Sequence, residues 1–292
     1  YEINVDGAVQ ITGSHNPPEF NGFKISLNQK SFHSEQIQDL KELINTSDFE
    51  VGEGNIEKNN ILPTYMDMLL SKISLDRPLK VAIDCGNAAA CITAPTIFKE
   101  LGMEVTELFC DIDGSFPNHH PDPTEDKNLI YLIEEIKRNN YNFGVAFDGD
   151  ADRIVVIDEN GEIIRSDILL CLFINQIIFK DDHVVYDVKC SKALDEVIKN
   201  KGGIPVMWKT GHSLIKQKMS QVFKIGIAKN NSQEIQEVKE INLVSGKGII
   251  GDRHFNEHNN PYNQLSLIES ENIDYYNKEF QLNIPYLNFR RN

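Results

Sequence analysis

Residues 143–158 read Phe143-Gly-Val-Ala-Phe-Asp-Gly-Asp-Ala-Asp-Arg-Ile-Val-Val-Ile-Asp158. Two apolar runs, Phe143 to Phe147 and Ile154 to Ile157, read as strands, and Asp148-Gly-Asp-Ala-Asp-Arg153 joins them. Three carboxylates at alternate positions repel one another unless a cation sits among them. With Gly149 and Ala151 between them the loop can curl, so that Asp148, Asp150 and Asp152 converge on one hard ion. An all-oxygen set favours Mg²⁺ or Ca²⁺ over Zn²⁺. The Asp/Asp/Asp/Glu spacing also fits a calcium-binding EF-hand, but Arg153 stands where that loop needs glycine, and the flanks are strands. Arg153 beside three anions suits a site that also holds a phosphate.

Outward from this loop the chain alternates. Lys80 to Asp84 reads as a buried strand turned by Gly86-Asn87, and Ala88 to Leu101 as a helix capped by Gly102. Val105 to Phe109 is the next strand, and Leu129, Leu132, Ile133 and Ile136 form one helical stripe. Downstream, Glu159-Asn160-Gly161 signals a hairpin. A second block then begins near Ile163: helix 168–179, strand 184–188, helix 193–200 and strand 204–207. This rhythm predicts an α/β class with consecutive α/β domains and a largely parallel sheet.

Upstream, Val9 to Thr12 reads as a short strand entering the fixed turn Gly13-Ser14-His15-Asn16-Pro17-Pro18. A serine so held can act as a nucleophile or carry a phosphate, although serine in such a turn is commonly turn chemistry alone. His15 and Lys24 are close enough in sequence to supply proton transfer or charge. The apolar spacing of Ile37, Leu40, Leu43 and Ile44 predicts a helix, and residues 52–60 a linker or surface hairpin.

Bulk properties narrow the classes. The net charge of −15 makes nucleic acid or an anionic membrane an unsuitable partner. The longest apolar stretch, Ile168 to Phe179, is too short to cross a bilayer. Cys85, Cys91, Cys110, Cys171 and Cys190 form no Cys-x-x-Cys pair and read as free thiols of a reducing cytoplasm.

Three motifs in order, Thr12-Gly-Ser-His-Asn-Pro-Pro-Glu-Phe-Asn-Gly-Phe-Lys24, Asp148-Gly-Asp-Ala-Asp-Arg153 and Lys209-Thr-Gly-His-Ser213, resemble the α-D-phosphohexomutase family, of the phosphomannomutase/phosphoglucomutase type. Supporting stretches are Val81 to Asn87, Phe116-Pro-Asn-His-His-Pro-Asp-Pro123 and Tyr186-Asp-Val-Lys189. The resemblance implies a phosphorylated Ser14 whose phosphate shares Mg²⁺ with Asp148, Asp150 and Asp152. It implies phosphate exchange with a hexose phosphate through a bisphosphate intermediate, with a glucose 1,6-bisphosphate-type activator to load Ser14. Arg153 and Lys24 would stabilise the moving phosphoryl group, and Lys24 or His15 would handle the proton. Lys189, Lys209 and His212 would contact sugar or phosphate. Ala151 stands where the family commonly has Gly, a change small enough to be tolerated.

The expected division is a partial first mutase domain over 1–63, a second over 64–160 and a truncated third over 161–220. The family's fourth domain and the loops that bind sugar hydroxyls and the non-reacting phosphate find no counterpart, which is expected to weaken turnover. The truncated third domain is expected to expose sheet edges and apolar surface. Residues 222–292, with Glu240 to His254 and Gln264 to Glu269, resemble the opening of a β-rich MOSC domain. The rival expectation is therefore a non-catalytic or sulfur-handling fusion, although no cysteine follows Cys190.

Overall fold

The computed structural model describes residues 5–28, 30–32, 35–211 and 214–222, together with the backbone of 243–244, 249–250 and 287–289. His212 and nearly all of the MOSC-like stretch lie outside the described residues.

The chain opens with an antiparallel sheet of β1 (Gly7–Ile11), β2 (Phe23–Leu27) and β3 (Lys30–Ser31), followed by α1 (Glu35–Thr46). The Ile37/Leu40/Ile44 spacing does form a helix, but none of its residues is buried. Val9, Ile11, Phe23, Ile37 and Ile44 are all exposed. Uncovered apolar surface was expected on the third unit; it is present there at Val188 and Met207, and it is more extensive on this first one.

Next come α2 (Leu62–Lys72), β4 (Ile73–Leu75), β5 (Lys80–Asp84), α3 (Ala94–Glu100), β6 (Glu104–Leu108), α4 (Ile130–Arg138), β7 (Phe143–Phe147), β8 (Ile154–Asp158) and β9 (Ile163–Ile164). The strands form one sheet in the order β6-β5-β7-β8-β9, apart from β4. β5 pairs parallel with β6 and β7, whereas β7–β8 and β8–β9 are antiparallel, so only half of the pairings fit a parallel sheet. The reason is the acidic loop: six residues turn the chain back beside β7, where a parallel return needs a crossover. The period of two along β5 is visible in the packing. Ala82 meets Leu129, Leu132 and Ile136 beneath α4, while Val81 and Ile83 join Ala90 and Ala94 on the opposite face.

One expectation is corrected here. The single helix expected over 88–101 is a 3₁₀ turn (Ala89–Ile92) and then α3, because Thr93 leaves helical geometry and Pro95 starts the new helix. A tight hairpin follows β8. Asp158 Oδ1 accepts the Asn160 and Glu162 N–H groups at 2.9 and 2.7 Å, and Ile163–Ile164 returns as β9 against β8.

The following unit contains α5 (Ser166–Ile177), β10 (His183–Asp187), α6 (Lys192–Asn200), β11 (Ile204–Trp208) and a helix over 214–222. β10 and β11 are parallel, and Leu170, Ile174, Tyr186, Leu194 and Ile198 form their core. The remaining described pieces are β12 (Leu243–Val244) and β13 (Ile249–Ile250), antiparallel to each other, and β14 (Leu287–Phe289), antiparallel to β4.

One buried pair pins a loop above the sheet. Asp84, 1% exposed at the end of β5, meets His119 Nε2 at 3.0 Å. Burial pushes the His119 pKa down, but the hydrogen bond and charge of Asp84 outweigh it and the net shift is upward. A folded value above the unfolded one stabilises the fold fully below pH ~6.5 and loses that contribution as pH rises through the raised value. Urea midpoints are therefore expected to fall between about pH 6 and pH 8, and His119→Gln is expected to flatten that slope.

Candidate functional site

The acidic loop crosses the C-terminal end of β7 directly beneath the serine turn. A Cβ built on Gly149 would lie 1.8 Å from the Ser14 carbonyl oxygen, so only glycine allows the two loops to touch. The Ala89 N–H donates to the Gly149 carbonyl at 3.2 Å, tying the loop to the turn after β5. Ala151 adopts φ +58°, the left-handed region in which a side chain is strained. Glycine would take this conformation freely, so the alanine carries a cost. Ala151→Gly is expected to raise stability by about 1 kcal/mol, read as an upward shift of the urea midpoint with an unchanged slope.

Ser14 is held by its neighbours before it meets the carboxylates. Thr12 Oγ1 accepts the Ser14 N–H at 2.8 Å and donates to Asp150 Oδ2 at 3.0 Å. Ser14 Oγ then lies 3.1 Å from Asp148 Oδ2 and 3.3 Å from Asp150 Oδ1. His15 Nδ1 is 3.2 Å from the same hydroxyl, and Arg153 Nη2 donates to it at 3.1 Å. Arg153 Nη2 also contacts His15 Nδ1.

Charge is distributed unevenly across the loop. Asp148 is fully buried; Arg153 contacts its Oδ2 through Nε at 2.8 Å and Nη2 at 2.6 Å, and donates its backbone N–H to Oδ1 at 3.0 Å. Burial raises the Asp148 pKa and the guanidinium only partly offsets it. For Asp150 burial also pushes upward, but Lys24 outweighs it and the net direction is down. Lys24 Nζ donates to Asp150 Oδ2 at 2.7 Å and to Asp152 Oδ2 at 2.9 Å. Burial lowers the Lys24 pKa, but these hydrogen bonds and charges raise it further.

Asp148, Asp150 and Asp152 each offer an oxygen, all within 4.8 Å of one another. The set is hard, anionic and wholly oxygen, and Lys24 already places a cation against two of its members. Those residues fit a small divalent ion, with Ser14 Oγ beside them.

The third-unit residues follow strands of a separate sheet. Lys189 and Lys209 are exposed and follow β10 and β11, whose ends are paired at Asp187 and Trp208. The buried Asp187 braces both loops: its Oδ1 accepts the Lys189 N–H at 2.9 Å and the Thr210 hydroxyl at 2.8 Å. The expected substrate contact His212 lies outside the described residues.

Sequence reasoning gave no role to three residues that shape the site: Thr12, His120 and Asp122. His120 Nε2 bonds the His15 carbonyl at 2.5 Å, while Asp122 lies 4.0 Å from His15 Nε2 and 3.7 Å from Arg153 Nη1. The available signal was a run of ionisable residues fenced by prolines, which marks a fixed polar loop without saying what it faces.

Repeated α/β units with a serine turn seated on an acidic loop define a class of multi-domain α/β proteins in which the site lies between domains. Family models for phosphoglucomutase/phosphomannomutase match alpha/beta/alpha domain I over residues 1–51, domain II over 63–161 and domain III over 165–230. The chain belongs to this phosphoglucomutase/phosphomannomutase family, the α-D-phosphohexomutases. It is 46% identical over 226 residues to a phosphomannomutase/phosphoglucomutase of Pseudomonas aeruginosa, covering 76% of this chain and 49% of that protein. It is 44% identical over 217 residues to a phosphoglucomutase of Neisseria meningitidis, covering 73% and 47%. A crystal structure of a phosphoglucomutase/phosphomannomutase family protein from Burkholderia thailandensis superposes with a TM-score of 0.73 at 43% identity, over 75% of this chain and 48% of that one. The chain thus spans about half the length of the relatives it matches. The domain III match runs past residue 221, where the sequence resemblance to a MOSC domain was placed. No helix among the described residues is long and apolar enough to cross a membrane.

Proposed function

We propose that this chain carries the phosphoryl-transfer centre of a hexose phosphate mutase, interconverting 1- and 6-phosphates through phosphorylated Ser14 and a bisphosphate intermediate. The observation that carries the reading is the Ser14 hydroxyl held at once by Asp148, Asp150, His15 and Arg153 at 3.1 to 3.3 Å.

The residues divide the work. His15 Nδ1 takes the Ser14 Oγ proton as the oxygen attacks phosphorus, and returns it when Ser14 leaves. Of the two expected acid/base candidates, His15 reaches the reacting oxygen, whereas Lys24 is engaged with two carboxylates and supplies charge. Arg153 neutralises the transferring phosphoryl oxygens from a position fixed before the reaction begins. Asp148, Asp150 and Asp152 would hold Mg²⁺, which when bound neutralises phosphate charge. Lys189, Lys209 and His212 are proposed to receive the sugar phosphate, at the strand ends where α/β sheets bind ligands. The proposed division is a first unit over 1–63, a second over 64–160 and a third over 161–220, with the hairpin strand β9 at the second junction. A soluble, cytoplasmic setting accords with the free thiols and an anionic small-molecule substrate.

Incubation with glucose 1,6-bisphosphate and Mg²⁺ tests the reading by intact mass. One added phosphate is expected on the chain and none on Ser14→Ala. A wild-type chain that takes up no phosphate overturns it.

A further inference from the structure

The cysteines take no part in the transfer, yet two of them meet. Cys85 directly follows β5, and Cys110 follows its parallel neighbour β6. Their sulfurs lie 3.3 Å apart as a thiol–thiol contact. A covalent link would need ~2.05 Å, so little movement separates the two states. Cys85 is fully buried and Cys110 half-buried, which makes Cys110 the point of access. Cys91 is the nearby competitor. Its sulfur leans on the Phe109 carbonyl at 3.6 Å, and burial pushes its thiol up to about 11; the bond to Cys110 and burial raise the Cys85 thiol further still, so neither of these two is the thiol that meets the oxidant first.

We propose that Cys85 and Cys110 are a modification site, a paired dithiol that a peroxide closes to a disulfide, slackening the tie between the turn after β5 and the acidic loop. The Cys110 sulfur attacks a peroxide oxygen, giving a sulfenic acid and one water. The Cys85 sulfur then displaces the hydroxyl, which leaves with the Cys85 proton as a second water. Two thiols lose two electrons and one peroxide becomes two waters. Direction follows from strand order. β5 lies between β6 and β7, so bonding to the β6 side draws Cys85 away from β7 and the loop that follows it. The link that must stretch is Ala89 N–H to Gly149 carbonyl, already 3.2 Å long. Gly149 in turn supports Ser14.

Two readouts test this on the whole chain. Native protein is treated with hydrogen peroxide, its remaining thiols are alkylated under denaturing conditions, and its peptides are mapped. A Cys85–Cys110 link is expected, retained in Cys91→Ser and lost in both Cys110→Ser and Cys85→Ala. Amide exchange at Ala89 is expected to be about fivefold or more faster in the oxidised chain, reverting on reduction with dithiothreitol. A link to Cys91 instead, no link in the native protein, or unchanged Ala89 exchange overturns the proposal. Neither readout uses Ser14 or a cation, so failure of the mutase reading is distinguishable from failure of this one.

Discussion

Gly149→Ala is expected to slow phosphate uptake by Ser14 by about 100-fold or more, the effect of moving a nucleophile by roughly an ångström. The added methyl would stand 1.8 Å from the Ser14 carbonyl oxygen and 2.9 Å from its carbonyl carbon. Both are backbone atoms, so no rotamer relieves the clash and one loop must retreat. The serine turn is the weaker partner, since it sits on an exposed sheet while the acidic loop is anchored by two strands and by Ala89. As Ser14 lifts, its hydroxyl leaves Asp148, Asp150, His15 and Arg153 together, so the loss is concerted. Time courses of phosphate incorporation measure it. Continued protection of the fully buried Cys85 from alkylation shows that the second unit remains folded. Uptake at the wild-type rate would mean the two loops do not touch as described.

The contrast between Gly149 and Ala151 shows what the sequence could reveal. Both lie in a loop whose chemistry was legible, because three carboxylates between two strands admit few other uses. The sheet was legible for a similar reason: β5, β7 and β8 are short apolar runs bounded by turns, and their strand assignments hold. What the pattern lacked was contact. Nothing in the residue order states that Gly149 lies against Ser14, or that Asp122 faces both His15 and Arg153 across the site. The pairings with Ser14 and His15 depend on how two units dock, which leaves no period in either segment. The helix expected over 88–101 failed for a local reason that could have been read: Pro95 sits where a continuous helix needs an N–H. The parallel bias failed because alternating apolar segments do not specify strand direction, whereas the short loops between β7, β8 and β9 do.

Arg153→Met is the second large effect, and it separates stability from chemistry. The guanidinium side chain is 4% exposed and bonds both Ser14 and the fully buried Asp148. Methionine fills similar volume but leaves that carboxylate buried with its charge uncompensated, a loss of about 3–5 kcal/mol. Stability in metal-free buffer is therefore expected to fall by that amount in urea unfolding. Added Mg²⁺ should restore part of it, because a cation bound at Asp148, Asp150 and Asp152 replaces the missing charge and binds only the folded loop. Transfer should not recover in step. The guanidinium also neutralises the phosphoryl oxygens, and its loss is expected to lower the rate of Ser14 phosphorylation by about 10³-fold even at saturating Mg²⁺. Arg153→Lys should fall between the two, since a single ammonium cannot span Asp148, Ser14 and Asp122 as the planar fork does. If Mg²⁺ restored both stability and rate in Arg153→Met, Arg153 would be a structural counter-charge alone, and the assignment of phosphoryl stabilisation to it would be wrong.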